Sequence, residues 1–176
     1  ALVVAFQLVA KRRPDLAVYP QTRFFIIAAL FALGLTFAVD GALRVMARAR
    51  PGPAVLLAGA VSVLLLPILV ALLPEARIAG SPFGSGADFV RPALGCFGYG
   101  VFMSAPTLAL IWLLSHEQRP APRTLLFAAA TAGMAANLAL HAHCPLTAPG
   151  HLLAGHATVG LVWAGALLLS RLAKAK

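Results

Sequence analysis

The chain has 176 residues, 61% of them hydrophobic and 11% charged, with a mean hydropathy of +0.90. That excludes a soluble globular domain, which needs far more polar surface. The apolar runs are continuous and do not alternate, which excludes a β-barrel. A net charge of +9 does not point to nucleic acid, because the basic residues flank apolar runs as lipid-headgroup anchors do and no basic face is interleaved with aromatics. The expected class is all-α: a polytopic membrane helix bundle.

A helix rising 1.5 Å per residue needs about 20 apolar residues to cross a hydrocarbon core about 30 Å thick. By that measure the sequence predicts a single domain, residues 1–176, with six transmembrane spans, the first truncated. Residues 1–10 cover about half a bilayer and read as the tail of the first span, ended by Lys11, Arg12, Arg13 and Pro14. The second span runs over residues 24–45 and the third over 53–73, with Pro51, Gly52 and Pro53 turning the chain between them and Pro67 a kink. Residues 74–95 form a loop rich in Gly, Ser and Pro, whose Phe83, Phe89 and Val90 suit the membrane interface. The fourth span is 96–114, with Pro106 inside it, and the fifth is 124–140, whose Ala, Gly and Thr content favours close helix packing. A His-Ala-His-Cys-Pro turn leads to the sixth, 151–169.

Loop charge sets the expected orientation. Arg44, Arg48, Arg50, Arg119, Arg123, Arg171, Lys174 and Lys176 fall on one side; Lys11, Arg12, Arg13, Arg23, Arg77 and Arg91 fall on the other. Eight against six favours a cytoplasmic C-terminus, and with six spans the N-terminus is cytoplasmic too. The opposite rim then faces the outside, which in a bacterium is the periplasm, where disulfides persist.

Chemistry-bearing side chains gather on that outer rim. Cys96 and Cys144, the only two cysteines, are redox or sensor candidates that could clip neighbouring helices if their Cα atoms lie within about 7 Å. Read blandly, they are two unrelated small apolar residues. His141, His143, Cys144, His151 and His156 are metal candidates, since imidazole and thiolate suit ions such as zinc or cadmium. Their spacing matches no standard zinc motif. His141 and His143 cannot share a helical face unless the helix ends between them. His151 and His156 stand about a third of a turn apart. The plain alternative is that these imidazoles cap helix ends and bond loop carbonyls. Asp40, deep in the second span, expects Arg44 four residues on as its ion-pair partner. No nucleophile, base and acid come together and no glycine-rich phosphate loop is present, so no enzyme activity is expected.

Leu94-Gly95-Cys96, Leu140-His141-Ala142-His143-Cys144-Pro145, His151, Gly155-His156 and the Arg12-Arg13-Pro14-Asp15-Leu16 turn resemble the NrsF-type membrane anti-sigma factors, over nearly the whole chain. The resemblance implies a six-span protein of the bacterial inner membrane that sequesters an extracytoplasmic-function sigma factor through a cytoplasmic N-terminal segment. It implies release of that partner when two periplasmic cysteines, matched by Cys96 and Cys144, register a heavy metal or an oxidant. The sigma-binding segment would lie upstream of Ala1. Two rivals stand beside it: a small membrane redox, haem- or metal-binding protein using the histidines, and a small transporter, for which Asp40 supplies little of an intramembrane polar path.

Overall fold

A computed structural model describes residues 14–15, 17–46, 53–73, 90–115 and 121–173. Among them there are helices and no strand. In chain order they are α1 (Gln21–Met46), α2 (Pro53–Ala71), α3 (Val90–Ser115), α4 (Pro122–His143), α5 (Pro149–His151), a π turn (Leu152–Ala157) and α6 (Thr158–Ala173). The π turn joins α5 and α6 into one rod, so that five helices are long and apolar enough to cross a membrane: Gln21–Leu43, Ala54–Ala71, Val90–Ile111, Pro122–His143 and Pro149–Leu172. The span expected over residues 1–10 and most of the loop expected over 74–95 lie outside the described residues.

Helix boundaries differ from the sequence expectation where proline chemistry decides them. The helix containing Cys96 begins at Val90, not at Cys96. Pro92 sits in its first turn, where a missing N–H costs nothing because that group has no intrahelical partner. Cys96 is therefore nearly two turns into α3 and anchored by it. Pro122 opens α4 at its first helical position for the same reason. At the other end α4 runs through both His141 and His143 to a cap at Cys144, whose N–H bonds the Leu140 carbonyl at 2.7 Å.

The bundle is organised around α4. Of its spanning window 78% is buried, against 17–39% for the other four, and it packs against α1, α2, α3 and α6. Alanine makes this possible: Ala128, Ala129, Ala130, Ala132, Ala135, Ala136 and Ala139 are all buried, and small side chains let neighbouring backbones approach closely. At the crossing of α4 with α6 backbone meets backbone: a Cβ on Gly133 would lie 2.8 Å from the Gly160 Cα. Phe31, Val63, Leu64 and Met134 fill the space between α1, α2 and α4.

Most hydroxyls in this apolar body are satisfied within their own helix. Thr36, Ser62, Thr131 and Thr158 donate their hydroxyls to the carbonyl four residues back. Trp163 Nε1 donates to Ser104 Oγ at 2.9 Å, tying α6 to α3. The outer faces carry Phe25, Leu33, Phe37, Leu65, Leu69, Phe102, Leu113 and Leu169, all exposed. Water would not tolerate an apolar surface this continuous, whereas hydrocarbon would. Asp40 is exposed on α1, and the pairing expected for it falls on the Arg44 side chain, outside the described residues.

The Gly133–Gly160 contact sets a test of this packing. Gly133→Val must force α4 and α6 apart, and thermal unfolding in detergent should show a loss of about 1–3 kcal/mol, as for overpacked cores. Gly98→Ala, with nothing within 4 Å of the added carbon, should leave the midpoint unchanged or raise it.

Candidate functional site

At the end of the bundle where α3 and α5 begin and α4 ends, four side chains converge. Cys96 comes from α3, Cys144 from the cap of α4, His151 from the end of α5 and His156 from the π turn. The two sulfurs are 3.4 Å apart and both thiols are free. Cys144 Sγ lies 3.2 Å from His151 Nε2, and the His151 and His156 rings meet edge to face at 5.3 Å between centroids. One ligand atom from each of the four residues lies within 4.8 Å of every other. Cys144, His151 and His156 are buried and Cys96 is half-buried.

The π turn makes this convergence possible. At 3.6 residues per turn, side chains five apart are rotated by roughly 140° and face different neighbours. A π turn of about 4.4 residues cuts that to roughly 50°, so His151 and His156 share one face. Wider winding disturbs the backbone hydrogen bonds, and α4 compensates. Asn137, buried in α4, donates Nδ2 to the Gly133 carbonyl at 2.8 Å and to the His156 carbonyl at 3.2 Å. Gly155 holds the π turn against α3: a Cβ there would lie 2.9 Å from the Ala93 carbonyl oxygen and 3.3 Å from the Cys96 Cβ. A larger residue at 155 would push Cys96 away from the histidines.

The remaining sequence candidates lie elsewhere. Because α4 stays helical through residue 143, His141 and His143 point about 200° apart. His141 stacks on Phe24 at 4.7 Å and places Nε2 3.0 Å from the Phe24 carbonyl oxygen, beside Tyr19. It ties α4 to the first turn of α1, bonding a helix carbonyl where the plain reading of the histidines expects a loop carbonyl. His143 stacks on Tyr99 of α3 at 4.7 Å. Neither belongs to the four-residue group, and Cys96, expected as a redox or sensor residue and not counted among the metal candidates of the outer rim, does. A small cavity of about 30 Å³ adjoins the group, with Tyr19, Arg23, Asn137, His141, Cys144 and His156 among its lining residues. It has room for a water or two.

Two features of the electrostatics set the chemistry. His151 Nδ1 and His156 Nε2 are buried with no hydrogen-bond partner, a costly state for ring nitrogens. The Cys144 thiol is pushed above its ordinary pKa, chiefly by the hydrogen bond it shares with Cys96 and then by burial, with His151 and His156 acting in the opposite direction. The group can therefore close a disulfide, once the sulfurs approach by about 1.4 Å, or take up an ion that prefers sulfur and nitrogen. Asn137 and Tyr99 were not singled out by the sequence, and Gly155 entered it only beside His156 in the resemblance. The His-x4-His spacing with a glycine before the second histidine is the one trace of the π turn in the sequence.

Cys144 is buried and holds its proton above the usual thiol range. A small maleimide at neutral pH should therefore label Cys96 before Cys144, as peptide mass mapping of a time course would show; equal rates would contradict the described burial. Asn137→Leu strips the side-chain partner from the His156 carbonyl, which keeps only the Thr158 N–H, and should cost about 1–3 kcal/mol of stability in detergent, with hydrogen exchange rising first over residues 152–157. Comparison of the chain with protein-family models, with curated proteins and with solved structures finds no match in any of the three.

Proposed function

We propose that the chain is the membrane-embedded sensor of an anti-sigma factor of the NrsF type, a regulator and not an enzyme. In this reading it is a multi-pass protein of the bacterial inner membrane, with both termini cytoplasmic, holding an extracytoplasmic-function sigma factor inactive. The arm that binds the sigma factor is the segment the resemblance places before the first span. One observation carries the reading: Cys96 and Cys144, 48 residues apart in the chain, present their sulfurs 3.4 Å from each other at one end of the bundle. That is the arrangement a thiol-based sensor needs.

The chemistry is simple. Hydrogen peroxide oxidises the two thiols to a disulfide and is itself reduced, so that two S–H bonds and one O–O bond give one S–S bond and two waters. Closing the bond draws the start of α3 towards the end of α4. Helices are stiff and packed interfaces have discrete arrangements, so a shift at one rim biases the opposite one. A coupling of 1–3 kcal/mol changes partner affinity by about 5–150-fold, enough to release a bound protein. Loop charge, eight basic residues against six, supports placing the thiol rim on the periplasmic side. The haem alternative gains no support from the site, because His141 and His143 stack on Phe24 and Tyr99 and stand apart from His151 and His156.

The test uses a reporter driven by the cognate sigma factor in cells carrying the full-length protein. Peroxide should induce the reporter with the natural cysteines and leave it silent with Cys96→Ser/Cys144→Ser. Normal induction in the double variant would remove the thiol pair from the mechanism.

A further inference from the structure

We infer that Cys96, Cys144, His151 and His156 form a binding site for one divalent ion of the zinc and cadmium class, held as an uncharged complex at the rim of the bundle. The inference deepens the sensing reading and rests on it for its biological role; the site itself stands on geometry and donor chemistry.

The geometry is close to what such an ion requires. With metal–sulfur bonds of about 2.3 Å and metal–nitrogen bonds of about 2.0–2.1 Å, tetrahedral edges come to roughly 3.8 Å for S···S, 3.6 Å for S···N and 3.3 Å for N···N. The Cys96–Cys144 edge is 3.4 Å and the Cys144–His151 edge 3.2 Å. All ligand atoms fall within 4.8 Å of one another, so an ion needs movements of at most about 1.5 Å along any edge. These are rotamer adjustments, not a refolding of the rim. The donors come from α3, the α4 cap, α5 and the π turn, so the ion would staple the start of α3 to the end of α4 and to the last helical rod.

Charge selects the class of ion. Two thiolates neutralise a dication and two imidazoles add nothing, so the complex has zero net charge. A monovalent ion would leave one negative charge and a trivalent ion one positive charge, and either is costly in an apolar, largely buried setting. The group contains no carboxylate, which disfavours calcium and magnesium and favours ions that accept sulfur and nitrogen. The independent sign of a ligand is His156, a residue only 6% exposed whose Nε2 is buried with no hydrogen-bond partner among the described residues, beside the Cys144 thiol and the adjoining cavity.

The binding step balances without any redox partner. The two thiols release two protons as the ion enters, and nothing is oxidised or reduced. A sulfur bound to the ion is not available for an S–S bond. Ion and disulfide are thus exclusive occupants of the same pair of cysteines.

Cobalt(II) is the probe, added alone to the purified full-length protein in detergent after reduction and chelation. One equivalent per chain should produce the visible bands of tetrahedral cobalt and a near-ultraviolet sulfur-to-cobalt band, both erased by zinc. Cys96→Ser should cut the sulfur band to about half, since one of two thiolates is removed. His151→Gln and His156→Gln should weaken binding by at least the roughly 10–100-fold that loss of an outer hydrogen-bond partner costs a metal site. His141→Gln and His143→Gln should keep the full spectrum. Diamide-driven closure of the Cys96–Cys144 disulfide reports that the rim of each histidine variant is folded. Wild-type protein that closes this disulfide but gives no sulfur-to-cobalt band overturns the proposal. So do His151→Gln and His156→Gln spectra that match wild type. The reporter assay answers separately: a sensor that responds to peroxide yet binds no cobalt sinks the ion and spares the sensing reading.

Discussion

How closely α4 can be approached controls what the rim can be. Its buried alanines and Gly133 present almost no side-chain volume, so α6 crosses it with Gly133 and Gly160 nearly touching. In lipid there is little hydrophobic drive to bring helices together, and packing contact of this kind has to supply it. With α4 as the hub, α3 and the α5–α6 rod arrive on adjacent sides of it. Their ends then meet at the C-terminus of α4, where Cys144 caps the helix.

The π turn converts that meeting into a site. It is a local departure from ideal winding, and such departures persist only where the surroundings compensate for them. Here the compensation is specific. Asn137 serves the His156 carbonyl, and Gly155 removes the side chain that would otherwise separate the turn from α3. A residue of the hub helix and a missing Cβ therefore place two imidazoles beside two thiols. His141 and His143 serve the same end indirectly, by locking α4 to α1 through Phe24 and to α3 through Tyr99.

A membrane setting sharpens the chemistry of such a group. Buried thiols and neutral imidazoles are tolerable in apolar surroundings, but a lone charge is not. Only changes that leave the rim near neutrality are cheap: closing a disulfide, or exchanging two protons for one dication. Both draw on Cys96 and Cys144, and both alter how α3, α4 and the last helix are held at one end. A thiol sensor and an ion site are therefore two uses of one constraint.

The apolar runs, their prolines and the small-residue composition of residues 124–140 were enough to foresee a helical membrane bundle with a tightly packed fifth segment, because burial in hydrocarbon is written directly into composition. The sequence also placed both cysteines and the histidines near one end, since that follows from counting spans. It could not tell which histidines belong with the cysteines. Neighbours two residues apart, His141 and His143, could meet only if the helix ended between them, and they diverge because α4 runs through both. Residues five apart, His151 and His156, looked mismatched and converge because the backbone widens to a π turn. Helical winding at one turn is decided by whether a distant side chain can serve a displaced carbonyl and a facing helix can come close enough, and those conditions exist only once the chain has packed.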